Sequence, residues 1–77
     1  MLLVPGQPYE LRGMTPGLWH NAHADFGQPP AIAAIYLGYV TGTRTWHLFE
    51  VHHLGVDAGV LLMSTADLER LTITALA

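Results

Sequence analysis

The chain has 77 residues, 51% of them apolar and only 12% charged, with three arginines, no lysine, no cysteine and a formal net charge of −3. That length gives a single domain, residues 1–77, with one modest core. It excludes disulfides and thiolate-held zinc, general nucleic-acid binding, which needs many cations on phosphates, and a membrane span, which needs about 20 consecutive apolar residues.

Average soluble domains carry about twice this density of charge. The apolar excess must be covered somewhere, and a homo-oligomer interface is the simplest cover. Met1 to Pro5 has no basic flank and a very short apolar run, so it does not read as a secretory signal. With no thiol to oxidise, a cytoplasmic location is the expectation.

Residues 1–8 read as a leader broken by Pro5, Gly6 and Pro8. The body follows over residues 9–76. Tyr9 to Met14 alternates large and charged residues and predicts a first strand. Residues 13–30 form a long connection carrying three glycines and three prolines. Loops of that length are functional or disordered, and Trp19 and Phe26 favour an ordered loop folded back on the body, with a helical turn near Trp19–Ala24. Ala31 to Val40 predicts a second strand, with Gly38 marking a bend or bulge. A helix over residues 31–39 in an α+β sheet is the alternative. Thr41-Gly42-Thr43-Arg44 is a hairpin connection. Thr45 to His53 is a third strand with no cleanly polar face. Gly55 to Gly59 is a turn, and Val60 to Met63 a short fourth strand. Ser64 then reads as a helix N-cap with Asp67 three residues on, so that residues 65–71 make one or two helical turns with Leu68 and Leu71 inward. Thr72 to Leu76 alternates as a fifth strand.

Strand, long loop, strand, tight hairpin, strand, turn, strand, helical turn, strand: this order resembles the SH3-like small β-barrel. The fold class expected is therefore mostly β, a five-stranded barrel with a long first loop and a short helical turn before the last strand. No binding residue carries over, since the Ala-Leu-Tyr-Asp-Tyr stretch of signalling SH3 domains has no counterpart here. The resemblance implies only a place for ligands, between residues 14–30 and 41–46.

Five histidines stand out. His20 and His23, with Asp25 close behind, are weak metal candidates, because imidazole and carboxylate both ligate zinc but the spacing is loose. His47 and His53 share a strand face but lie about 20 Å apart, and His52 points the other way. These read as surface or interface histidines. The aromatic residues are the second constellation. Phe49 is assigned to the core, while Trp46, beside the hairpin and Arg44, and Trp19 in the loop are the candidates for an aromatic slot. The expected ligand- or partner-binding set is Trp19, His20, His23, Phe26, Arg44 and Trp46.

Catalysis has little support. The single serine suits a cap, and no phosphate loop, nucleophile elbow or HExxH motif occurs. The leading expectation is a binding module, without cofactor, that docks on a protein partner. Size and acidity suit an accessory protein of a phage or mobile element that inhibits a host system. The alternatives are an oligomeric sponge for a small nucleotide-like molecule and a minimal histidine-dependent enzyme acting on one.

Overall fold

The structure, a computed structural model, describes residues 2–19, 30–51 and 59–76. Five strands, β1 (Pro8–Arg12), β2 (Ala31–Thr41), β3 (Thr45–Val51), β4 (Gly59–Ser64) and β5 (Thr72–Ala75), make one antiparallel sheet in the order β4-β3-β2-β1-β5. Two single-turn helices interrupt them, α1 (Pro16–Trp19) and α2 (Thr65–Leu68).

Residues 31–41 are strand throughout, so the alternative of a helix over 31–39 is overturned. The reason lies in the side chains. Ile32, Ala34 and Tyr36 are buried and the residues between them are not, which is the period of a pleated strand rather than of a helix. The first strand is shorter than expected. It begins at Pro8 and stops at Arg12, because Gly13 takes a positive φ of 93°. The Gly13 and Met14 amides then turn away from the ladder and donate to the Pro30 carbonyl, at 3.1 and 3.0 Å. These two bonds close the base of the long first connection. Met14 and Leu18 fold under the core from it, as the loop reading expected for its first part.

β2 serves two partners. Residues 31–35 pair with β1, while 34–41 pair with β3, so the sheet changes neighbours along one strand. The change coincides with a bulge between Tyr36 and Gly38, where Gly38 holds φ 129°. An L side chain rarely adopts that angle, and glycine adopts it freely. The expected bend is thus a one-residue insertion.

The core lies on one face of the sheet. Tyr9, Leu11, Ile32, Ala34, Tyr36, Phe49, Val51, Leu61 and Met63 all point there and are buried. Ile73, Leu68 at the end of α2 and Leu71 just beyond it pack against them. Glu10, Arg12, Thr72 and Thr74 fill the opposite face at the β1–β5 end, where Arg12 and Glu10 form an exposed ion pair. At the β2–β3–β4 end the opposite face carries Glu50 but is otherwise largely apolar, with Val40 across from Trp46 and Leu48 across from Leu62.

The barrel expectation is met in strand number and in the helical turn before β5. Closure is not made by strand pairing: β4 and β5 are the two edges, and among the described residues they are not hydrogen-bonded to each other. α2 connects them along the chain and packs against β4 and β3. Ser64 caps it as expected, its hydroxyl accepting from the Asp67 amide at 3.2 Å. The radius of gyration, 11.4 Å, is that of a close-packed domain of this length, about 11.5 Å. No helix among the described residues is long and apolar enough to cross a membrane.

Candidate functional site

Residues 2–7 do more than precede the first strand. Val4-Pro5-Gly6-Gln7 is a tight turn, with the Gln7 amide on the Val4 carbonyl at 3.1 Å and Gly6 at φ 87°. Proline followed by glycine at these two positions is the type II pattern. The turn is bolted to the sheet: the Gly6 amide donates to the Tyr36 carbonyl at 2.7 Å, and the Tyr36 amide to Gln7 at 3.1 Å. The Val4 amide donates to the Tyr9 hydroxyl at 2.8 Å, and the Gln7 side-chain amide to the Leu76 carbonyl at 2.6 Å. Leu2 and Leu3 are thereby held out over the open end of the core.

Between this segment, the β2–β3 ladder and α2 lies a cleft of about 430 Å³. Leu2, Leu3 and Pro5 form one wall, and Leu68 and Leu71 another. Tyr36, Tyr39, His47 and Thr65 supply its polar groups, with Glu69 in the same wall. The Gly38 bulge builds this arrangement. Strict alternation after Tyr36 would send Tyr39 to the opposite face; the inserted residue returns it to the face of Tyr36, across from His47.

On the floor of the cleft is a row of three side chains. Tyr36 Oη lies 2.9 Å from His47 Nδ1, and His47 Nε2 lies 3.1 Å from Thr65 Oγ1. The rings of Tyr36 and Tyr39 lie near the imidazole, with centroids 5.9 and 6.1 Å away. Burial pushes the Tyr36 phenol pKa up, with Tyr39 and Tyr9 adding to the shift. Burial also holds His47 below its ordinary value. The row is therefore uncharged at neutral pH. A neutral imidazole carries one N–H, so His47 donates to one hydroxyl and accepts from the other.

Arg44 and Trp46, both expected in the binding set, do come together. The guanidinium lies over the indole, 5.6 Å from the ring centroid, at the distance of a cation–π contact. Neither lines the cleft. Arg44 and Thr45 border a second, shallower depression with Ser64, Thr65, Ala66 and Asp67, and Thr65 is shared between the two. Trp46 lies on the opposite sheet face, partly buried. The side chain of Trp19, and His20, His23, Asp25, Phe26, His52 and His53 entirely, lie outside the described residues. Among the described residues, no group of three or more histidine, aspartate or glutamate side chains is placed to hold a metal.

Sequence reasoning missed His47 as part of a cleft, treating it as a surface or interface histidine. It also missed Thr65, Leu2 and Leu3. The available signal was the alternation that puts His47 on the face of Phe49 and Val51, which argues for an inward ring. No known protein family, curated protein or solved structure matches the chain.

Proposed function

We propose that this chain is a binding module built as an SH3-like small barrel, and that its ligand seat is the cleft over Tyr36, His47 and Thr65. The strand order, the bent second strand and the helical turn before the last strand support the barrel reading. The observation that carries the function is the cleft itself. It has the volume of a small-molecule site, its walls are largely apolar, and a few polar groups converge on its floor. The ligand that suits it is a compact, mostly apolar molecule with one hydrogen-bonding end. The nucleotide-like ligand of the sponge alternative suits it less, because among the described residues no arginine or lysine lines the cleft. A cytoplasmic setting goes with a chain that has no thiols.

A thermal-shift panel tests this. Compact aromatic fragments should raise Tm, nucleotides should not, and Tyr39→Ala should weaken the response. Arg44→Ala and Trp46→Ala should leave it intact. The reverse pattern would move the site to the Arg44–Trp46 pair. An unchanged ligand mass after incubation separates binding from turnover.

Docking on a protein partner is the second reading. It is favoured by the exposed apolar side chains at the cleft rim, Leu2 (90% exposed) and Tyr39 (64%), and by exposed Val4 nearby in sequence. Capture of a defined partner that is lost in Tyr39→Ser and blocked by a cleft-filling fragment would support it.

A further inference from the structure

The proposed function leaves open which polar end the cleft selects, and the inference here rests on that reading of the cleft as a ligand seat. We infer that the cleft selects a hydrophobic amine: a compact aryl or branched alkyl body carrying one ammonium group. The body fits between Leu2 and Leu3 on one side and Leu68 and Leu71 on the other. The ammonium then meets Glu69 and the Thr65 hydroxyl at the α2 side.

Charge decides between the possible end groups. Of the described residues lining the cleft, Glu69 is the one with a full formal charge at neutral pH, and that charge is negative. No lysine exists in the chain, and no arginine lines this cleft. Arg12 is paired with Glu10. Arg44 belongs to the neighbouring depression, which it shares with Asp67, and its guanidinium rests on Trp46. Arg70 follows Glu69 in sequence without bordering the cleft.

The remaining groups favour the same choice. Neutral His47 does not repel a cation, and burial opposes its protonation. The exposed Tyr39 ring lies 6.1 Å from the imidazole in the same cleft, and aromatic faces attract ammonium groups. A carboxylate or phosphate would instead face Glu69 with no arginine or lysine among the described residues of the wall. Like-charge contact of that kind is a device for rejecting ligands.

Three probes of one shape test the inference: 2-phenylethylamine, 2-phenylethanol and phenylacetate, titrated into the whole chain near neutral pH and followed by NMR shifts of the His47, Tyr36 and Tyr39 rings. The amine should bind roughly tenfold tighter than the alcohol, the difference between a charge-assisted and a neutral hydrogen bond, and phenylacetate weakest of all. Glu69→Gln should erase the gap between amine and alcohol while leaving alcohol binding in place. Glu69 is exposed, so this variant keeps the fold. Equal affinities for amine and alcohol, or tightest binding of phenylacetate, would overturn the amine preference while leaving the cleft as a ligand seat. No shift at these rings with any probe would overturn the seat and the preference together.

Discussion

Burial sets the protonation of His47 below its ordinary value, and this gives the residue a measurable signature. As pH falls through about 6.5, the unfolded chain takes up the proton first, so the folded state loses stability on the acid side and regains it as pH rises. The Tm of the wild type relative to His47→Gln should therefore fall as pH drops from about 7.5 to about 5. A difference that stays constant over that range would contradict an imidazole whose protonation is opposed by its partial burial. Tyr36 is 3% exposed, and its hydroxyl has a partner in His47 Nδ1. Tyr36→Phe keeps the ring against Phe49 and removes only that bond. It should cost about 1 kcal/mol in urea unfolding and weaken binding of cleft ligands. At this scale the sequence was partly legible. Phe49 reads as core from its place among strand residues and is buried. The role of His47 depends on hydroxyls eleven positions before it and eighteen after it, which no local pattern connects.

Two local devices organise the elements. Ser64 satisfies the first turn of α2, and Ser64→Ala should cost about 1 kcal/mol, seen as a Tm lowered by roughly 4–8 °C in a domain of this size. Gly38 supports the bulge. The space around it is open, with nothing within 4 Å of an added Cβ, so the obstacle to a side chain is its φ of 129°. Gly38→Ala should cost about 1–3 kcal/mol. It should also disturb the Tyr39 ring signals, because the bulge is what returns Tyr39 to the cleft face. Both devices were visible in the sequence, the cap from a serine three residues before an acid and the bulge from a glycine inside an apolar run. Each depends on residues within four positions. What the bulge does to the register was not visible, since that is defined only against β3.

The whole molecule rests on one small core. Phe49, Leu11, Leu61, Met63 and Val51 are its largest fully buried side chains. Phe49→Ala should remove about 3–5 kcal/mol, a large share of the 5–15 kcal/mol typical of a domain, and chemical denaturation should find the variant close to its midpoint without denaturant. The apolar sheet face around Val40, Trp46, Leu48 and Leu62 bears on self-association, the state that the composition favours. Sedimentation should show a mass that rises with concentration, and Trp46→Lys should shift it toward the single chain. A single-chain mass at every concentration would count against self-association.

The sequence by itself determined the mostly β class, strands two to five, the hairpin at Thr41–Arg44 and the capped turn at Ser64. These follow from alternation, turn residues and capping, all short-range properties of the chain. Only the tertiary structure decided that the ladder stays open at β4 and β5, that Pro5-Gly6 carries Leu2 and Leu3 across the core's open end, and that Tyr36, His47 and Thr65 form one row. The physical reason is that a cleft is made where distant segments fail to fill the space between them. Its walls here come from residues 2–5, 36–47 and 65–71, and folding alone brings them together.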